Sequence, residues 1–322
     1  MDSNISNKTF SHKFLRLRFI KENATISLKH LLKQKLCSII NLYQHIAKLS
    51  LDPQFLATSL EQKIFLLESS TDSRSSTIKI DSNKSTPQLT PIVYGCSIAL
   101  VLAPYSSVPS RTIAEKLSEL LNFEHDIIVN KTYFKFYIKI NKHGLINFYL
   151  DSQSLANWLQ QLLVLVNKNS IKRNLTTVHQ LKSTPKNLFS TQYIHSRCCS
   201  LLSLATTEYS FKNSAWQLSQ PESITWLDSQ NNLCLTDLAE FYLLCQLLIA
   251  TDSFASESAN WHKLALNLSY AVAIFIAECR FIRTINQNHQ KAIARLALIA
   301  ISKYYLEKIL VEKLNIVAPV SL

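Results

Sequence analysis

The sequence predicts an α+β protein, with a small N-terminal α/β domain carrying an antiparallel hairpin and a C-terminal all-α helical bundle. Three observations predict it. The 322 residues exceed the roughly 250 at which single cores usually stop growing, so two domains are expected. Within the first 170 residues the apolar period switches from helical to alternating and back. From Thr191 onward the pattern is helical throughout, with no strand-like alternation.

The elements follow in order. Residues 1–25 are a basic, weakly patterned arm. Ile26 to Leu49 reads as a helix because Leu28, Leu31, Leu32, Leu36, Ile39 and Ile40 recur at helical spacing, and Pro53 ends that region. Ser69 to Thr90 is rich in Ser, Thr, Asp and Asn, a loop or insertion with one short strand candidate at Thr77–Ile80. Helices are expected at Ile98–Ala103 and Ile113–Leu121, separated by a turn around Pro104 and Pro109. Ile127 to Leu150 is aromatic and β-branched around Asn141–Gly144, the composition of a hairpin. Asp151 or Ser152 then caps a helix running to about Val166.

Residues 168–187 form a basic linker that ends near Pro185, so the first domain is expected at 26–167 and the helical one at 188–322. In the latter, Ile194, Cys198, Leu201, Leu202 and Ala205 make one apolar stripe. Further helices are expected at roughly 235–250, 259–285 and 289–314, with Asn286 and Asn288 breaking the last two apart.

Composition narrows the function. Apolar residues make up 47% and charged residues 17%, which suits packed cores. Only two glycines occur, Gly95 and Gly144. Phosphate-wrapping loops need glycine for positive φ and close backbone approach, so neither a P-loop nor a G-x-G-x-x-G turn can be written. The net charge is +12. The first fifty residues hold nine Lys or Arg against Asp2 and Glu22, and no acid lies between Ser152 and Thr207. That stretch carries Lys168, Lys172, Arg173, Lys182, Lys186 and Arg197, a distribution that attracts polyanions by counterion release. A lysine-rich, simply solvated surface would carry the same charge.

Seven cysteines without C-x-x-C spacing, and an opening without an apolar signal segment, lead to the expectation of reduced thiols in a cytoplasmic protein. The longest nearly apolar helix candidate, the fourteen residues between Lys263 and Glu278, is too short to span a bilayer, so no membrane partner is expected. The nine histidines are scattered without metal spacing. No metal and no cofactor is expected. His195 and Cys199, at i, i+4 on one helix, are read as packing residues rather than as a catalytic pair.

Four segments carry a family resemblance. Gln192-Tyr193-Ile194-His195-Ser196-Arg197-Cys198-Cys199-Ser200-Leu201 resembles the opening helix of the anticodon-binding (DALR) domain of arginyl-tRNA synthetases, Gln-Tyr-x-His-x-Arg-x-x-Ser-Ile/Leu. Phe275-Ile-Ala-Glu278-Cys279-Arg280-Phe281, Ala294-Arg295-Leu296-Ala297-Leu298 and Leu314-Asn-Ile316-Val-Ala318-Pro319 resemble later elements of that domain in family order. A fainter resemblance links Tyr94–Ala103, Ile113–Leu117 and Gly144-Leu145-Ile146-Asn147-Phe148 to the synthetase N-terminal domain, which touches the tRNA elbow. Leu145 stands where that family has an aromatic, and Val320-Ser321-Leu322 replaces its closing Glu-Arg-Met.

The resemblance implies a tRNA-binding protein, with tRNA-Arg the first candidate ligand. Gln192, Tyr193, Arg197, Arg280 and Arg295 are expected to face the RNA, together with Asn147 and the basic Lys172 and Arg173. A ring and a guanidinium one helical turn apart suit base stacking and phosphate contact, and they also suit helix–helix packing. Only about forty residues separate Phe148 from Tyr193, where the family's adenylate-forming domain would sit, and no Lys-Met-Ser-Lys loop exists beside the single methionine, Met1. Aminoacylation with ATP is therefore not expected. The other reading open at this point is a protein-interaction module that binds a synthetase or assembles with itself.

Overall fold

The computed structural model describes residues 26–67, 92–123, 127–129, 132–172, 188–209, 211–212, 217–218, 224–256, 259–279 and 288–322. The basic arm, the Thr77–Ile80 strand candidate and residues 173–187 lie outside these. The fold is α+β, and the chain divides into two compact units, residues 31–154 and residues 1–30 with 155–322.

The unit of residues 31–154 begins inside helix α1 (Leu28–Ala47), whose Leu31, Leu32, Leu36, Ile39, Ile40 and Tyr43 are buried at helical spacing. Pro53 does not simply end this region. It is the first residue of α2 (Pro53–Lys63), where its missing N–H costs nothing, and the Asp52 carboxylate accepts from the next two free amides, Gln54 and Phe55.

Strands β1 (Ile64–Leu67) and β2 (Val93–Cys96) follow, then α3 (Ile98–Leu102), a 3-10 turn at Ala103–Tyr105, and α4 (Ser110–Phe123). β3 (Ile127–Val129) and β4 (Thr132–Phe134) pair with each other, while β5 (Phe136–Ile140) and β6 (Ile146–Leu150) form the expected hairpin. Asn141 Oδ1 closes its turn by accepting from the amides of His143 and Leu145, both at 2.9 Å, and Gly144 takes φ +84°.

The main sheet is antiparallel in the order β1-β2-β6-β5. Side chains alternate along each strand, so register decides what each face displays. Ile146, Phe148 and Leu150 point inward and are buried. Two rows cross the opposite face, Phe65–Gly95–Asn147–Lys139 and Leu67–Val93–Tyr149–Tyr137.

The second unit takes in helix α5 (Ser152–Lys172), started by Asp151, whose carboxylate accepts from the Ser154 amide at 2.7 Å. The helix runs past the expected Val166. Buried Trp158 donates through Nε1 to the Ile26 carbonyl at 3.1 Å, and Gln160 Oε1 accepts from the Ile224 amide and from Trp226 Nε1. Those bonds tie α5 to the helical unit, which is why the division falls at 154/155 rather than at 167/168.

Helix α6 (Phe189–Tyr209) is followed by two short strands, β7 (Phe211–Lys212) and β8 (Gln217–Leu218), and by a bridge between Leu227 and Leu233. An all-helical bundle was therefore too simple an expectation. Two-residue strands are too short to print an alternating pattern. The bridge depends on a turn in which Asp228 Oδ1 accepts from the amides of Gln230 and Asn232.

Three long helices complete the unit: α7 (Leu238–Ser256), α8 (Trp261–Glu278) and α9 (His289–Lys308). Asn260 and Asn288 cap the last two through their side-chain oxygens. Beyond α9 the helix widens into a π turn at Ile309–Lys313, and Asn315 at φ 55° ends it. Among the described residues, α7 is the one helix whose length and composition would span a membrane, a stretch the sequence reading passed over, and 67% of that stretch is buried.

Candidate nucleic-acid interface

Helix α6 sorts the residues of its motif by side. Gln192, His195, Ser196, Cys198 and Cys199 are buried, whereas Tyr193 is 52% exposed and Arg197 is exposed one turn further on. Among the described residues no hydrogen bond or ion pair engages Arg197. The spacing i, i+4 places ring and guanidinium side by side on the solvent flank. Phe189 and Leu204 extend that flank with exposed apolar surface.

Gln192 must be reassigned. It is buried, and its amide donates through Nε2 to the Val317 carbonyl at 2.7 Å, so its polar atoms are committed inside the unit. The same face carries His195, whose Nδ1 lies 2.8 Å from the Pro319 carbonyl, and Ser196, whose hydroxyl donates to the Val320 carbonyl at 3.3 Å.

Arg295 is also corrected. It is 5% exposed and faces inward from α9, where its Nε donates to Glu240 Oε1 at 2.6 Å and its NH2 group to the Asp237 carboxylate. Lys291 joins the same carboxylates, 3.4 Å from Asp237 and 3.7 Å from Glu240. A guanidinium between two carboxylates inside a bundle cannot reach a phosphate. Arg295 joins α9 to α7.

Asp237, Glu240 and Cys279 bring oxygen and sulfur atoms within 4.8 Å of one another, a spacing that could suit a cation. The carboxylates are already neutralised by Arg295 and Lys291, and the Cys279 thiol is pushed up to about 12 by burial and then by the Glu240 charge. A protonated thiol is a poor ligand, so the trio serves as a structural ion-pair cluster.

The His195–Cys199 pair is equally enclosed. Cys199 Sγ lies 4.0 Å from His195 Nε2, and Glu307 Oε2 lies 3.9 Å from the same nitrogen. Burial alone disfavours the imidazolium, but Cys199, Glu307 and the Pro319 carbonyl outweigh it and raise the His195 pKa to about 9. Burial drives the neighbouring Cys198 thiol far up. With both sulfurs buried, the pair offers substrate no approach.

In the unit of residues 31–154, Asn147 stands in the middle of the outward sheet face, between Gly95 and Lys139. Its Oδ1 is buried without a hydrogen-bond partner. Around it are residues that sequence reasoning missed. Lys135 sits 5.3 Å from the Tyr137 ring centre and Lys139 sits 5.0 Å from that of Tyr149, while Phe65 and Tyr137 are 40% and 52% exposed. The signal was present as Lys135-x-Tyr137-x-Lys139, a period-two pattern on one strand face. Val93 and Gly95 at the centre of this face are buried, so the exposed groups are those of its edges, and cationic and aromatic side chains such as Lys135, Tyr137 and Lys139 can stack an unpaired base and hold a phosphate.

Arg173 and Arg280 lie outside the described residues, as does the side chain of Lys172, although Lys172 closes α5. Comparison with family models, with characterised proteins and with solved structures returned no match.

Proposed function

We propose that this chain binds tRNA, with tRNA-Arg the first candidate, and does not aminoacylate it. The observation that carries the reading is the pairing of Tyr193 and Arg197 on the solvent flank of α6, one turn apart on a helix that buries Gln192, His195, Ser196, Cys198 and Cys199. A tyrosine ring stacks on a splayed base, and an adjacent guanidinium holds the neighbouring phosphate in a fixed fork. The net charge of +12 supplies long-range attraction. The sheet face around Asn147, with Tyr137, Tyr149, Lys135 and Lys139, offers a second surface of the same chemistry.

The test is binding of the purified protein to labelled tRNA-Arg, an unrelated tRNA and a hairpin RNA across a salt series, beside Arg197→Ala. Preferential tRNA binding that weakens with salt and drops in the variant supports the reading. Equal, weak binding to all three at moderate salt overturns it.

A second reading has its own observation. Phe189 and Leu204, 57% and 61% exposed, flank Arg197 along the same helix and suit a protein partner, either a synthetase or a second copy of this chain. A stable dimer that ignores tRNA in size-exclusion measurements would favour it.

A further inference from the structure

In the helical unit, the segment after Ile316 is held in an unusual way. Ile316 itself is buried at 3%, and its amide donates to the Leu310 carbonyl at 2.8 Å. Beyond it, anchoring passes to polar side chains of α6. Gln192, His195 and Ser196 meet the carbonyls of Val317, Pro319 and Val320 in turn. The side chains of Val317 and Val320 remain 42% and 61% exposed, so apolar burial contributes little to holding them. The segment is a strap gripped by its backbone.

We infer that Gln192, His195 and Ser196 form a latch for Val317–Val320, and that the protonation of His195 sets how firmly the latch closes.

The chemistry follows from the two ring nitrogens. A carbonyl can only accept, so Nδ1 must carry a hydrogen to bond Pro319. Nε2 then faces Glu307 at 3.9 Å and Cys199 at 4.0 Å. A neutral ring protonated on Nδ1 keeps the bond to Pro319 and can accept from the Cys199 thiol at Nε2, whereas one protonated on Nε2 loses the strap. The imidazolium alone holds Pro319 through a charged donor, the stronger kind of hydrogen bond, while it faces Glu307.

Among the described residues, the titratable and charged groups around the ring are Cys199 on α6 and, on α9, Glu307 with Lys303, which pairs with Glu307 at 3.2 Å. α8 meets α6 through Thr191 and Ser269, both uncharged. Because the folded pKa of His195 is raised to about 9, its contribution is complete below the ordinary histidine value near ~6.5. It is lost as pH rises through about 9.

Backbone relaxation of the isotope-labelled full chain tests this without RNA, so its outcome stands apart from the RNA reading. Between pH 7 and 10.5, Cα order parameters at Val317, Ala318 and Val320 should fall from near ~0.85 toward ~0.6, with the midpoint near the His195 pKa of about 9 and tracking the His195 ring resonances. His195→Gln should give a strap whose order does not change with pH. A strap whose order is unchanged at pH 10.5, or one that loosens with the same midpoint in the variant, overturns the proposal. Should His195→Gln fail to fold, Glu307→Gln serves instead: it should move the midpoint to lower pH, and an unmoved midpoint overturns the proposal equally.

Discussion

The Nε of Arg295 donates to Oε1 of Glu240 at 2.6 Å, and this bond joins the middle of α9 to the first turn of α7. Glu240 is fully buried, and its second oxygen accepts from the Asp237 amide at 2.7 Å, closing the start of α7 from within. Asp237 returns its own carboxylate to the same guanidinium. One arginine thus supports a helix cap, shares the neutralisation of two acids with Lys291 and crosses between helices.

Removing that arginine should therefore destabilise the fold rather than remove a ligand contact. Arg295→Ala leaves enclosed Glu240 with Lys291, 3.7 Å away, as its remaining cation, so the cost should fall at or below the roughly 3–5 kcal/mol of a buried charge left wholly unpaired. Urea denaturation followed by circular dichroism measures the loss. Arg295→Met combined with Glu240→Leu should recover part of it, because no lone charge then remains inside. If Arg295→Ala kept full stability and lost only RNA affinity, the arginine would face ligand after all.

The same residue marks what sequence could and could not reveal. Helical spacing located α1, α6 and α9, and the Asn141–Gly144 turn located the β5–β6 hairpin, because each is written in local period and turn chemistry. Burial of polar side chains is not local. Gln192 and Tyr193 are neighbours in sequence, about 100° apart around α6, yet Gln192 is buried and bonded to the Val317 carbonyl while Tyr193 is exposed. Arg295 reads as a surface cation until α7 brings Glu240 to it. The boundary at 154/155 likewise depends on Trp158 and Gln160, whose partners lie over sixty residues away.

The two glycines should respond unequally to substitution. At Gly144, φ is +84° and an added Cβ would meet the Ser110 backbone at 2.8 Å. Gly144→Ala is expected to cost roughly 1–3 kcal/mol through left-handed strain and backbone collision. At Gly95 the obstacle is the Phe65 ring at 3.0 Å, the far end of a side chain that can rotate, so Gly95→Ala should cost less. Paired thermal denaturation of the two variants decides the order.

Thiol reactivity should single out one position. Cys37 is half-buried, whereas the other six cysteines are buried, and burial raises the thiols of Cys96, Cys234 and Cys279 to about 12, 11 and 12. Alkylation of the native protein at pH 8 should modify Cys37 first, with the rest reacting only on unfolding. Peptide mass mapping over time tests this, and early modification of Cys199 would show that the α6 interior opens far more readily than its packing implies.

The sheet face should contribute to RNA binding by a route separable from α6. Tyr137 is 52% exposed and lies opposite Tyr149 in register, with a lysine beside each ring. If bases stack there, Tyr137→Ala should weaken binding of tRNA-Arg by about 1–3 kcal/mol, the usual cost of losing one aromatic platform. Stability should change by no more than ~0.5 kcal/mol, because the ring is exposed. Lys139→Gln acts differently: it removes one phosphate contact, so the slope of log affinity against log salt should shallow by about 0.7–0.9. Titrations at four salt concentrations separate the two signatures. Tyr137→Ala with unchanged affinity, together with an unchanged slope in Lys139→Gln, would leave α6 as the sole candidate surface. A change confined to the slope would mean that the face attracts RNA as a charged patch and does not stack its bases.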